Sequence, residues 1–439
     1  MKPGRNSVQE QVPEQGAQST VHDEDVLRHL VVTAHRMFPE CGKDDSNRMY
    51  HGFDPFRSEV LNDPYRYYER LRDTSPCYLV RSPPYEFFAV ARYADVCAVA
   101  KNPTVFSSTG GVGPGWAQHP MMSMYDPPTD HGRLRRAVQC FFAPSALAGM
   151  GARVEAETRR LLGPALQTRT FDGYRDLGLP IALGLLCELL GLPRDRDEDI
   201  KRWTDATTDD LAGGLSEARQ GEARREIGEF IDYLRSLINL RRRDGLKDGM
   251  LARLVEAHDS GALTARELYA MCVLLLAAGY GTTANGIANM LAALAQHPSE
   301  WQKVRADPAL IPRAVEESVR WDGPVQSFFR NTLQDTRIGN VPVPKGAKVM
   351  LIFASANRDE RRFTDPNRYL VERNSEGHVA FGHGIHFCLG GPLARIAMAA
   401  ILRTLVSLVE SLCPLAPCER RNNVIFRQVV RLPIAITPK

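Results

Sequence analysis

A mainly α-helical chain with small appended β-sheets is expected on three grounds. Long segments carry apolar residues at three- and four-residue spacing, β-type runs are short and few, and no internal repeat divides the chain. A length of 439 residues is large for one domain, yet no Gly/Ser-rich or Pro-rich linker separates two cores. The expected organisation is a flexible tail over residues 1–49 followed by one domain over residues 50–439.

The tail is rich in Gln, Glu, Ser, Asn and Gly, and only residues 26–38 could form an amphipathic helix. After it, residues 64–72 read as a helix. Residues 77–81 and 87–90 read as strands set off by Pro83 and Pro84, and residues 93–101 as another helix. The Gly-rich stretch 107–115 reads as a mobile lid. Beyond Ser145 the helical spacing is strong, over residues 152–169, 181–190, 217–243, 250–258, 265–297 and 311–320. β-type runs return over residues 336–352 and 424–436.

Bulk properties narrow the function classes. Lys plus Arg (55) and Asp plus Glu (52) nearly cancel, so the formal charge of +3 gives no chain-wide field for nucleic acid or an anionic membrane. The apolar run 271–295 is long enough to span a bilayer. It is interrupted by Gly279, Gly281, Thr282, Thr283, Asn285 and Asn289, which suits a buried helix. The start, Lys2-Pro3-Gly4-Arg5-Asn6, runs into polar residues and not into the apolar block of a signal peptide. Nine cysteines without framework spacing, and no C-x-x-C pair, fit buried thiols in a reducing compartment and argue against structural zinc. A cytoplasmic protein without a membrane anchor is expected.

The most informative stretch is Phe381-Gly382-His383-Gly384-Ile385-His386-Phe387-Cys388-Leu389-Gly390-Gly391, with a helix-forming run over residues 392–409 behind it. A cysteine at a helix mouth meets unpaired N–H groups and the positive end of the helix dipole, both of which favour a thiolate. Glycines on both sides let the backbone approach a flat macrocycle, and Phe381 and Phe387 would shield the sulfur from water. Read by itself the loop leaves two alternatives open: a Gly-rich turn around a buried thiol, or a zinc or iron site from His383, His386 and Cys388. Upstream, Glu317 and Arg320 lie three apart on one helical face, a pair of little weight alone. His131 and Arg135 lie four apart on a helix begun after Asp126-Pro127-Pro128, so both can point to one side.

In the run 265–297, Gly279 and Gly281 each cost about 1 kcal/mol relative to Ala inside a helix. A locally loosened ladder there would open space beside the Thr282 hydroxyl, which could relay protons. The same residues carry a rival reading. Residues 273–278 as a buried strand, followed by Gly279-x-Gly281-x-x-Ala284 and with Glu300 downstream, would match a dinucleotide fingerprint and imply an NAD-dependent dehydrogenase.

At every fixed position the 381–391 loop is similar to F-G-x-G-x-H-x-C-x-G, the haem-binding signature of cytochromes P450. The likeness to soluble, ferredoxin-dependent bacterial members runs from about Asp54 to Pro438. It implies the cytochrome P450 fold and haem b (iron protoporphyrin IX), with Cys388 as the axial iron ligand and Phe381 beside it. The D-P-P-x-x-H-x-x-x-R motif makes His131 and Arg135 propionate ligands, with Arg330 and His386 as the third and fourth. The E-x-x-R pair Glu317 and Arg320 would be completed by Arg368 of Asp365-Pro366-Asn367-Arg368, as a structural triad. Thr282 matches the alcohol of A/G-G-x-D/E-T, whereas Gly281 stands where the family carries an acid. Water or a substrate group at Gly281 would then complete the relay, or the reaction would be oxidative coupling or ring formation.

Leu275, Ala278, Phe328 and Phe426 are implied to line the substrate site, together with the 107–122 loop and the helices near residues 190–217. The segments 50–56, 324–331 and 355–359 look most like members that oxidise small aromatic acids. Those relatives hold a carboxylate through a base in the loop where this chain has Ser107-Ser108-Thr109-Gly110-Gly111, so a different or larger substrate is expected. The expected function is therefore monooxygenation of a small aromatic or natural-product-like substrate by a monomer. Electrons would come from a separate ferredoxin or flavodoxin, with Arg133, Arg136 and Arg395 as its landing site. A non-catalytic binding module of the same fold is the other alternative, and retention of both Cys388 and Thr282 speaks against it.

Overall fold

The computed structural model describes residues 53–115, 128–213, 215–243 and 249–439. The tail 1–49, the helix expected over residues 26–38, and Asp126-Pro127 lie outside them.

In chain order, α1 (Ser58–Asn62) and α2 (Tyr65–Thr74) precede the hairpin β1 (Tyr78–Ser82) and β2 (Tyr85–Val90), then α3 (Tyr93–Ala100) and β3 (Phe106–Ser107). A helical stretch follows: α4 (Pro128–Val138), α5 (Met150–Thr168), β4 (Thr170–Asp172), α6 (Leu179–Leu190), α7 (Asp197–Ala212), α8 (Glu217–Arg243), α9 (Met250–Asp259) and α10 (Ala265–Gln296). Next come α11 (Pro298–Ala306), α12 (Ile311–Asp322), β5 (Ser327–Thr332), β6 (Thr336–Ile338), β7 (Val341–Val343), β8 (Lys348–Ile352) and α13 (Phe353–Ala356). The chain ends with α14 (Gly391–Leu408), β9 (Val409–Pro414), β10 (Glu419–Arg420), β11 (Val429–Arg431) and β12 (Pro433–Pro438).

The expected helices over residues 152–169, 181–190, 217–243, 250–258, 265–297 and 311–320 match α5, α6, α8, α9, α10 and α12 to within two residues at each end. Apolar spacing did not mark four helices, the short α1 and α13 and the longer α7 and α11. The sequences of the last two, DEDIKRWTDATTDDLA and PSEWQKVRA, are polar. Acids in the first turn of α7 suit the helix dipole, and Trp203 stacking on Phe230 of α8 at 5.3 Å fixes its inner face.

The largest sheet has strand order β1-β2-β8-β5-β3. Its pairings are antiparallel except for β2 with β8, where Phe88 lies opposite Val349. Near the C-terminus, β12 lies between β4 and β9. The long helix α10 opens on a capping box, Thr264 with Glu267, and has residues in two of the apolar cores. Both α10 and α14 are long and apolar enough to cross a bilayer, but 56% and 50% of their apolar windows lie buried inside the protein, as core helices require. Residues 273–278 are helical, so the strand needed for a dinucleotide fingerprint does not exist.

The stretch 107–115 is not a loose lid. Asn331 Oδ1 accepts from Gly110 N–H at 2.8 Å, and Lys348 Nζ donates to the carbonyls of Gly110 and Gly111 at 2.7 and 3.0 Å.

The expected triad forms with a different third member. Glu317 accepts from Arg320 Nε and Nη2 (2.7 and 2.8 Å), Arg373 Nε (3.1 Å), Ser375 Oγ (2.7 Å) and Leu370 N–H (3.0 Å). Burial alone would raise its carboxyl, but these donors hold it below the usual carboxylate range. Arg368 points outward, 69% exposed, toward Asp365 at 3.7 Å, and contributes only its carbonyl, to Arg320 and Arg373. Arg373 reaches inward because its other nitrogens bond the carbonyls of Thr364, Asp365 and Arg368, which hold its Nε on Glu317.

Arg373→Ala is therefore expected to cost about 2–4 kcal/mol by removing a donor from a buried carboxylate. Arg368→Ala should stay within about 0.5 kcal/mol of the parent. Urea unfolding of the two variants side by side checks this.

Candidate active site

Cys388 lies just before α14, and the N–H groups of Gly390 and Gly391 donate to its sulfur. Its own N–H donates to Phe381 carbonyl oxygen at 2.8 Å, which closes the loop into a ring. Gly384 has φ of +73°, and a Cβ there would meet the Ala100 carbonyl oxygen at 2.5 Å, so only glycine lets this loop sit on the end of α3.

A clamp that sequence reading missed holds Phe381. Glu316 accepts from Arg395 Nε and Nη2 at 2.5 and 2.9 Å and lies 2.9 Å from His378 Nε2. The Arg395 guanidinium covers the Phe381 ring at 4.2 Å. Burial works against the Glu316 charge, yet the His378 and Arg395 bonds hold its pKa down to about 2. Adjacency to Glu317 in Glu316-Glu317 was the available signal, since consecutive helix positions point about 100° apart.

Cys388 is accessible, but to the inside of a cavity of about 290 Å³. Burial pushes its thiol up, against the two N–H donors and the charges of Arg135 and Arg395. Burial and the helix mouth thus act on the sulfur in opposite directions, and a metal ion at the sulfur would add the charge that favours its thiolate. Among the described residues no cluster of metal-ligating side chains forms, so His383, His386 and Cys388 are not a zinc site.

The same cavity is lined by five bases, His131, Arg135, Arg330, His383 and His386, and by no carboxylate among the described residues. The His131 and His386 rings meet edge to face at 4.6 Å, with Ser108 Oγ 3.2 Å from His386 Nε2. Arg135 Nη1 donates to the Ile385 carbonyl at 3.3 Å, and Arg330 Nη1 to the Phe329 carbonyl at 2.7 Å. Arg330 is 4% exposed, and burial pushes its guanidinium down to about 10. His386 falls to about 2, chiefly through burial and then through Arg330, His131 and Arg135. His131 is lowered by burial and by Arg135, and Arg135 by burial.

Buried bases with no acid among them are costly unless an anion joins them. A porphyrin bearing two carboxylates fits that requirement, and a thiol facing the same cavity fits the metal at its centre. The residues present thus suit haem.

Leu275, Ala278 and Phe328 line the cavity as expected, as do Thr282 and Phe381. Phe426 does not. It is 9% exposed and packs edge to face behind Phe328 at 6.2 Å, so it supports the wall without forming it. Gly281 is also absent from the lining, because it lies about 100° round the helix from Thr282.

No break in α10 is present at these positions. Gly279 is explained by packing, since a Cβ would press on Leu186 Cδ1 at 3.0 Å. Thr282 Oγ1 donates to the Ala278 carbonyl at 2.5 Å, so in this rotamer its oxygen is a hydrogen-bond acceptor toward the cavity.

Comparison with known proteins agrees with this geometry. The cytochrome P450 family model matches residues 207–423. The chain is 33% identical over 399 residues to cytochrome p450 CYP199A2 of Rhodopseudomonas palustris, covering 88% of this chain and 94% of that protein. It is 33% identical to the beta-dihydromenaquinone-9 omega-hydroxylase of Mycobacterium tuberculosis, covering 88% and 79% of the two chains. Among solved structures, CalO2 superposes with a TM-score of 0.80 at 31% identity, covering 88% of this chain and 99% of CalO2.

The charge argument makes a crossed prediction for Arg330→Met. Stripped of haem, the variant should be more stable than the parent by about 1–3 kcal/mol, because a lone buried cation has gone. Its affinity for haem should fall at least ~30-fold, because an anion has lost its partner. Urea unfolding of the haem-extracted protein and haem titration at the Soret band measure the two halves.

Proposed function

The chain belongs to the cytochrome P450 family and is a haem-thiolate monooxygenase, an oxidoreductase with an external electron donor; on that premise we propose how its own residues serve the reaction. The observation that carries the proposal is the meeting of the Cys388 thiol, the Thr282 hydroxyl and the four bases in one cavity. Cys388 Sγ is the iron ligand, steadied by the Gly390 and Gly391 N–H groups. His131, Arg135, Arg330 and His386 hold the propionates, and Phe381, clamped by Arg395, seals the sulfur from solvent. When bound, haem supplies the one-electron and dioxygen chemistry that the side chains lack.

Overall, one oxygen atom enters the substrate and the other leaves as water, at the cost of two electrons and two protons. Thr282 accepts a hydrogen bond from whatever is bound above it, and its hydroxyl proton is held on the Ala278 carbonyl until it turns. The substrate would be apolar or aromatic. Leu185, Leu186, Leu189, Met271, Leu274 and Leu275 line the cavity, and apart from His383 its basic side chains are the four assigned to haem. The omega-hydroxylase among its relatives is named for action on beta-dihydromenaquinone-9, which agrees with an apolar substrate.

A ferredoxin or flavodoxin is the proposed electron donor, and the cytoplasm the proposed location. Of the three landing candidates, Arg133 is paired with Glu267 and Arg395 with Glu316. Arg136 is exposed and has no ion pair among the described residues, so it is the base we assign to the docking face.

Titration of the ferric holoprotein with matched aromatic pairs, each a neutral compound and its carboxylate, tests the substrate class. The neutral member should displace the iron-bound water, seen as a Soret shift, at a concentration at least ~10-fold lower than the carboxylate. A factor of that size is only about 1.4 kcal/mol of charge desolvation. Preference for the carboxylate would refute an apolar site.

A further inference from the structure

Lys348 has no account in the haem site. It is fully buried in β8, where lysine is rare, and it does not line the cavity. Burial, and then the charge of Arg330, push its ammonium down to about 7, so the position is a costly one for an amine. In the pairing of β5 with β8 it stands opposite Asn331. The two side chains act on one segment. Asn331 Oδ1 accepts from the Gly110 N–H at 2.8 Å, and Lys348 Nζ donates to the Gly110 and Gly111 carbonyls at 2.7 and 3.0 Å. Gly110 and Gly111 are themselves buried, so bulk water is no substitute for these bonds. The turn that presents both carbonyls to one amine has Gly111 at φ of +89°, a conformation that favours glycine.

The gripped segment reaches the cavity on both sides of the grip. Before it, Ser108 Oγ lies 3.2 Å from His386 Nε2. After it, Val112 lines the cavity, and its carbonyl accepts from the Phe329 N–H at 2.9 Å. Val112 shares an apolar core with Leu274 and Phe328, which line the same cavity. The chain then runs against the end of α7. A Cβ at Gly113 would clash with the Leu211 carbonyl oxygen, and a Cβ at Gly213 would meet Pro114 Cγ at 3.0 Å. The position of Val112 over the cavity therefore depends on how far the Gly110–Gly111 turn is drawn down onto the sheet.

We propose that Lys348 is a positioning residue that determines specificity: by drawing the Gly110 and Gly111 carbonyls onto the sheet it holds Val112 against the cavity and sets an upper size for the substrate. The inference deepens the reading of this cavity as an apolar substrate site and rests on it. Lys348 acts through the backbone and not by contact with the ligand. Removing its amine leaves two buried carbonyls without that donor, and the segment relieves this by moving outward to water. Val112 moves with it, and the space beneath widens. Bulky ligands gain from the change and small ones do not.

Azoles gauge that space without knowledge of the substrate, because their nitrogen binds the iron and moves the Soret band. Dissociation constants of 1-phenylimidazole and of clotrimazole, a bulky triaryl imidazole, are measured for the ferric holoprotein and for Lys348→Met. Methionine keeps most of the stem and loses the donors. The ratio of the two constants should shift in favour of clotrimazole by at least ~10-fold, which is the scale at which one methylene of pocket space discriminates. General loosening of the fold would weaken both azoles together and leave the ratio in place. An unchanged ratio in Lys348→Met overturns the proposal. Should that variant fail to retain haem, Asn331→Ala releases the same segment from its other side, and an unchanged ratio there overturns the proposal equally. Val112→Ala widens the cavity directly and separates this failure from failure of the premise. A shift in Val112→Ala alone removes the role of Lys348, whereas no shift in any variant removes the reading of the cavity wall itself.

Discussion

A ring of backbone and side-chain bonds around residues 381–388 decides where one sulfur atom points, and the rest of the site depends on it. Phe381 is pinned by Arg395, Arg395 by Glu316, and the loop is closed by the Cys388 N–H on the Phe381 carbonyl. Behind it, Glu317 collects donors from Arg320, Arg373, Ser375 and Leu370, so the segment leading into the loop is tied to α12 at buried positions. Neighbouring carboxylates thus hold the loop from two sides, one through a ring and one through the chain. Such preorganisation matters because a ligand atom must be placed before the metal arrives.

The second constraint is electrostatic. Five bases share one cavity that no carboxylate among the described residues lines, an arrangement that burdens the protein and favours a bound dianion. The same burden explains why His386 stays neutral while a guanidinium keeps its charge, since burial beside Arg330 penalises the imidazolium most. Folding stability and cofactor affinity are consequently opposed at these residues, as is common where a site is built for a ligand.

Much of this was legible in the sequence because the pattern was local. The helix boundaries follow from apolar spacing, and the thiolate loop from glycines and aromatics at fixed positions around Cys388. What failed was non-local. Arg373, not Arg368, meets Glu317, because the choice depends on which side chain a turn directs inward, and both residues lie at a plausible separation. Phe426 stands one layer back from the cavity for the same reason: its place is set by packing against Phe328. The polar α7 had too few apolar positions for spacing alone to mark it, although its buried stripe of Ile200, Trp203, Ala206 and Leu211 is clear once α8 covers it. The 107–115 stretch looked mobile from its glycines, but its anchors, Asn331 and Lys348, lie more than two hundred residues away.

The carbon monoxide difference spectrum of the reduced holoprotein, compared with that of Cys388→Ala, tests the central assignment most directly. The parent should show the long-wavelength Soret band of thiolate ligation and the variant should lose it, whether or not haem is still retained by the four bases. An unaltered long-wavelength band in the variant would mean that another atom holds the iron, and would contradict the account.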